Sequence, residues 1–319
     1  MNNAAASQPR STDPMPRAKR AGRSYWRRNY YYYVLLALPL LYFAIFRYGP
    51  IFGNILAFRR YTPGGPPYGT EWVGLRYFRM FMEDPNFWLA FKNTILLSVM
   101  NLCISFPLPI IFALLINEIM GARLKRFIQI ISYFPNFISI VVVVGLIKEL
   151  LSPTNGIVNK VLESIGIDPI FFVNQPEWFR FIYISSDVWQ YMGWNAVIFV
   201  AALASVDTQL YEASELDGAG RWKQTLHVTI PQILPTISVV FIISLGSLLS
   251  LGFEKVLLLY TASNSATSDI IDTFVFRMGL ENNNYSYATA AGLFGGMIGF
   301  ALVSAANYIS RKLSGVSLY

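Results

Sequence analysis

Between Tyr211 and Pro235 the chain reads YEASELDGAGRWKQTLHVTIPQILP, the only long polar run caught between two strongly apolar segments in its second half. Its charges change sign along the run: Glu212, Glu215 and Asp217 come first, Arg221 and Lys223 after. Leu216, Ala219 and Trp222 recur beside them at helical spacing, which predicts a short amphipathic helix. Gly218 and Gly220 allow a turn or a close backbone approach, and Pro231 and Pro235 punctuate the start of the next apolar segment. A polar helix exposed at a membrane face suits docking onto a soluble partner. An ordinary loop between two spans would have the same composition.

The flanks decide that this is a membrane setting. Hydrophobic residues make up 54% of the 319, aromatics 16% and charged residues only 13%, about half the charge fraction of a soluble protein. The formal net charge of +7 sits in short basic clusters beside apolar runs. That is the distribution of positive-inside topology, not of a nucleic-acid surface. Cys103 is the single cysteine, so no intrachain disulfide forms, and its place in an apolar segment suits packing. His227, also single, lacks the neighbours of a metal site or triad.

Outward from the opening stretch, Phe179 to Ala204 precedes it as one span and Thr236 to Tyr260 follows as another. Residues 1–29 are basic and polar and read as a disordered cytoplasmic tail, because no small-residue cleavage site follows the first apolar run. Tyr30 to Phe46 is a first span, opened by interfacial tyrosines and broken at Gly49-Pro50, with Ile51 to Phe58 as a continuation. Asn93 to about Asn117 is a second span. Phe127 to Ile147, interrupted at Pro135-Asn136, is a third, and Ala288 to Ile309 is the last. Residues 30–319 are therefore expected to form an all-α, six-span membrane domain with both termini cytoplasmic. The basic turn 121–126 falls on the same side as residues 211–235.

No phosphate loop, HExxH, GxSxG or cysteine cluster occurs, so no catalytic residue, metal site or cofactor of the chain's own is expected. The fourth span carries Asp187, Trp189, Gln190, Tyr191, Trp194 and Asn195. Asp187, Gln190 or Tyr191, and Trp194 fall on one helical face. A charge at membrane depth costs about 2.5–3.5 kcal/mol on insertion scales and so faces a cavity or a partner. Aromatic faces beside amide and carboxylate groups suit sugars. Asn136 is a further candidate for the same cavity, with Asn101 and Tyr133 behind it. The competing reading puts Asp187 near the outer interface and gives Gln190 and Asn195 to helix packing. Lys148-Glu149 and Glu254-Lys255 read as boundary anchors.

The order Glu212-Ala213, then Asp217-Gly218-Ala219, Trp222, Ile230-Pro231 and Pro235 resembles the EAA loop of ABC importer permeases. Ser214 stands where a second alanine is common, and Ile230 where leucine is usual. The resemblance covers roughly residues 30 to 319 and implies the type I importer permease fold in a bacterial plasma membrane. It implies that residues 211–235 form the coupling helix, with Glu212, Ala213, Asp217, Gly218, Ala219 and Trp222 in the cleft of an ATPase subunit. Its further implications are a second permease in a heterodimer, two ABC ATPases that bind ATP and Mg, and an extracytoplasmic solute-binding protein. The stretch from Ser268 through Ala290 resembles carbohydrate-importer permeases, particularly for oligosaccharide and polysaccharide fragments, with Arg277 and Tyr285 facing the binding protein or the substrate. The alternative is a secondary transporter with Asp187 as its ion-coupling carboxylate, although no convincing internal repeat supports it.

Overall fold

The computed structural model describes residues 29–246, 248 and 251–314, without the side chains of 306 and 309–314. The expected basic tail therefore lies outside the described residues but for Asn29, and so do the side chains of Arg311 and Lys312. Every regular element among the described residues is a helix, apart from an isolated bridge between Arg59 and Trp72. The chain divides after Gly53 into two units.

α1 (Tyr30–Phe43), in the first unit, passes into a π turn at Ala44–Tyr48, and a 3-10 stretch, Gly49–Phe58, follows across the division. The expected break at Gly49-Pro50 does not occur, because Gly49 keeps helical backbone angles. The wider π turn accommodates the hydrogen bond that Pro50 cannot make. A span that looked short thus becomes a 29-residue helix, Tyr30–Phe58. No side chain of α1 is buried, and apolar residues point in all directions, as suits lipid.

The second unit begins its spans with α2 (Pro85–Ser105), whose start lies about two turns before the expected Asn93. Asp84 caps it by accepting from the Asn86 amide at 2.9 Å, and Pro85 takes the first helical position, where its missing N–H costs nothing. It runs on through Phe106 into α3 (Pro107–Asn117). α4 (Ala122–Tyr133) and α5 (Ile140–Leu150) are separated by a 3-10 turn at Phe134–Phe137 and bent by 100°. The break at Pro135-Asn136 stands where expected, but its angle makes the third span a folded-back pair.

The centre of the second unit is α6 (Pro176–Ala204). It contributes Phe179, Ile182 and Tyr183 to a core with Leu97 of α2 and Val144 of α5, and Ala196, Phe199 and Leu203 to another with Ala113 of α3. At Gly193 a Cβ would sit 2.1 Å from the Ser132 carbonyl oxygen, so α6 and α4 cross backbone to backbone. In lipid such close packing, rather than transfer of apolar surface from water, holds helices together.

After a 69° bend comes α7 (Thr208–Leu216), then α8 (Arg221–Gln224). A π turn at Thr225–Thr229 joins α8 to α9 (Ile230–Gly246), giving one 26-residue helix. This corrects the expected fifth span, Thr236 to Tyr260, at both ends. Pro231 and Pro235 do not precede the span but lie inside it, with the π turn just before them to absorb the lost donors. Tyr260 belongs instead after a separate short helix, α10 (Phe253–Leu259). α11 (Ile271–Phe276) and α12 (Tyr285–Ser314) complete the described chain. Among the described residues four helices are long and apolar enough to cross a membrane, and the two bent pairs bring the count to as many as six.

Two buried asparagines pin the 251–284 segment onto the spans. Asn264 donates to the carbonyls of Val173 (2.8 Å) and Leu259 (2.9 Å) and accepts from the Thr261 amide (2.9 Å) and Ser268 hydroxyl (2.6 Å). Asn93 donates to the carbonyls of Ala266 and Asp269, both at 3.1 Å, and accepts from Arg180 at 3.1 Å. All four hydrogen-bonding directions of Asn264 are filled, as burial requires.

Candidate functional site

The polar stretch that opened the sequence reading is two helices, not one. Asp207 caps α7 by accepting from the Gln209 amide at 2.9 Å. The helix ends where Gly218 adopts φ +74°. There the Gly218 amide donates to Glu215 O and the Ala219 amide to Ser214 O, both at 2.9 Å. That pair of bonds is a Schellman stop, and its left-handed position favours glycine because a Cβ would crowd the backbone. Leu216, Ala219 and Trp222 therefore do not share a helix, contrary to the spacing argument: one ends α7, one lies in the turn and one lies in α8. Glu212, Ala213, Asp217 and Gly218 are exposed and Ala219 is half-buried. Leu216 is 91% exposed and Trp222 73%, a degree of apolar exposure that a covering partner would relieve.

This surface is tied to the spans. The Tyr211 and Thr229 hydroxyls are 2.9 Å apart, linking α7 to the π turn at the base of α9. Arg221 Nη2 approaches Met120 Sδ at 3.8 Å, so the turn before α4 lies on the same side as α7, as expected.

A cavity of about 760 Å³ opens between α2, α3, α6 and α9. Ser98, Asn101 and Ser105 line one wall, Asp187, Trp194 and Asn195 another, and Val240, Ile243 and Ser244 a third. Three of the expected cavity residues of α6 thus come together, joined by Asn101. The others do not. Gln190 is buried, is not among the lining residues, and donates to Ile138 O at 3.0 Å. Trp189 is half exposed, and Tyr191 is half-buried with its ring 5.9 Å from Lys255 Nζ. Asn136 and Tyr133 belong to the α4–α5 elbow and are not among the lining residues.

The residue that the sequence reading missed is Lys255. Far from being a boundary anchor, it is 1% exposed, and its ammonium lies 3.5 Å from Asp187 Oδ1. Among the described residues its Nζ otherwise sees the ring of Tyr183 at 5.3 Å, whose hydroxyl accepts from the Gly252 amide at 3.2 Å. The signal was the apolar company of Lys255 in FEKVLLL, where a lysine at one position is either snorkelling or paired. Asp187 is accordingly not the free carboxylate that ion coupling would need.

Arg277 is committed inside the chain. It donates to both carboxylate oxygens of Asp269 and, at 3.1 Å, to the Tyr260 hydroxyl. The hydrogen bonds to Asp269 raise its pKa further above the ordinary arginine value. Tyr285 is half-buried, its ring set edgewise to Tyr61 at 5.3 Å between centroids. Among the described residues no group of three His, Cys, Asp or Glu is placed to hold a metal ion.

Residues 105–315 match the family described as binding-protein-dependent transport system inner membrane component. The polygalacturonan/rhamnogalacturonan transport system permease protein YteP of Bacillus subtilis (strain 168) is 41% identical, over 91% of this chain and 90% of that one. Protein LplB of the same organism is 40% identical over 92% of each. Among solved structures, a chain of a bacterial alginate ABC transporter, crystallised in complex with alginate pentasaccharide-bound periplasmic protein, superposes with a TM-score of 0.85. It is 39% identical, and the match covers 92% of this chain and 99% of that chain.

Proposed function

The chain belongs to the binding-protein-dependent transport system inner membrane components, and from that membership we propose that it is one of two permease subunits in an ATP-driven carbohydrate importer. It is a membrane transport subunit, not an enzyme. An extracytoplasmic solute-binding protein delivers oligo- or polysaccharide fragments, a class suggested by the names of relatives that transport polygalacturonan, rhamnogalacturonan and alginate. Two separate ABC ATPases bind ATP and Mg and supply the work. The second permease is a different chain, both termini are cytoplasmic, and residues 1–29 are a basic tail at the plasma membrane.

The observation that carries this reading is α7: an exposed, capped and sharply terminated helix, linked by Tyr211 to the base of a span. It is the coupling helix. Glu212 and Asp217 make charged contacts in the ATPase cleft, and Trp222 covers its rim. ATP-driven closure of the ATPases displaces α7, and the spans move as rigid bodies between inward- and outward-open states. Asp187, Trp194, Asn195 and Asn101 line the substrate path. Of the two expected binding-protein contacts, Tyr285 has the freer side chain, while Arg277 holds Asp269 in place.

Co-isolation tests the reading. The chain retains a soluble ATPase through purification, and Glu212→Ala or Gly218→Pro loses it while the chain still inserts. Uptake by the isolated chain in ATP-free vesicles, driven by a proton gradient, would overturn it.

A further inference from the structure

The wall of the 760 Å³ cavity carries one ionisable group among the described residues, Asp187. Its side chain is 16% exposed, and that of Lys255 behind it is 2%. Lys255 is not among the lining residues. Its ammonium is held between the carboxylate at 3.5 Å and the ring faces of Tyr183 and Tyr191 at 5.3 and 5.9 Å. The pair is neutral in sum but directional, with its negative end at the cavity and its positive end in the protein.

We propose that this subunit's wall of the cavity takes an uncharged sugar unit and turns away a carboxylate, with Asp187 as the specificity-determining group and Lys255 as the residue that positions it. The inference rests on the carbohydrate-importer reading above. An ionised carboxylate only accepts hydrogen bonds, so a sugar hydroxyl can donate to it. Asn195 on the same wall and Asn101 on another offer amides that donate and accept. A uronate carboxylate in that place meets a like charge that the ammonium behind it only partly offsets. Coulomb's law at protein-like screening then gives discrimination on the order of tenfold. The polymers named for the relatives are acidic, so transferring their substrate to this wall predicts the opposite preference.

The test uses the assembled transporter in ATP-loaded proteoliposomes with its own binding protein. The probes are tetragalacturonate and its fully methyl-esterified form, which share a skeleton and differ in charge, with neutral maltotetraose and xylotetraose beside them. Binding-protein affinities for each probe are measured separately and divided out of the uptake rates. Asp187→Asn leaves Lys255 buried without its counter-ion, so Asp187→Asn/Lys255→Met, which removes both charges, is assayed in parallel. Lys255→Arg provides the conservative rescue. The proposal expects the ester to be favoured about tenfold over the acid, with the ratio falling towards one in both Asp187 variants and staying high in Lys255→Arg. An unchanged ratio in the two Asp187 variants, or a wild-type preference for the acid, overturns it. If the wild type carries none of the four probes, the carbohydrate reading fails first and takes this inference with it.

Discussion

The turn after α7 and the cavity wall both carry charged residues, but they hold them in opposite ways. Around α7 the charges are exposed, and the backbone fixes the shape through the Asp207 cap and the stop at Gly218. At the cavity the backbone is ordinary helix, and the shape rests on a buried contact between Asp187 and Lys255, from different elements. The first arrangement is local, so side-chain loss there should leave the fold intact. The second is long-range, and removing either partner strands the other.

The largest effect is expected at the buried pair. Lys255→Met leaves Asp187 unpaired and should destabilise the chain by about 3–5 kcal/mol, whereas Asp187→Asn/Lys255→Met should recover most of that loss. Thermal unfolding in detergent would read both. Equal destabilisation in the single and the double variant would break the contrast. Next comes Gly218→Val, which forces a branched side chain into the left-handed region at a cost of about 1–2 kcal/mol. Here co-isolation with the ATPase should fall steeply while the unfolding temperature of the spans barely moves. Asp207→Ala should cost about 1 kcal/mol, confined to α7. Amide hydrogen exchange would sharpen the comparison by showing faster exchange in Thr208–Leu216 than in α6. The smallest stability effect belongs to Glu212→Ala, on an exposed site, where unfolding should be unchanged and only ATPase retention should drop. A shifted unfolding temperature there would mean that α7 is part of the packed core after all.

The same contrast explains what could be read in advance. The six apolar segments, the break at Pro135-Asn136 and the glycine at 218 are local signals, carried by composition and backbone preference, and they were legible. Helix starts were less so: the Asp84-Pro85 pair announces α2, but the apolar run draws the eye to Asn93. Pro231 and Pro235 misled because a π turn can absorb missing donors, and nothing at Thr225–Thr229 advertises one. The partner of Asp187 was out of reach, since ion pairing between α6 and α10 depends on a tertiary fold that puts them side by side. Helical spacing placed Gln190 on the Asp187 face, but the elbow at Phe134–Phe137 brings Ile138 O to it and claims its amide.

Because α8, the π turn and α9 form one uninterrupted rod of 26 residues, roughly 39 Å at the usual rise per residue, what happens at Trp222 is not insulated from Gly246. A displacement imposed at its Trp222 end would be carried along the helix axis to the cavity that Ser244 and Ile243 help to wall.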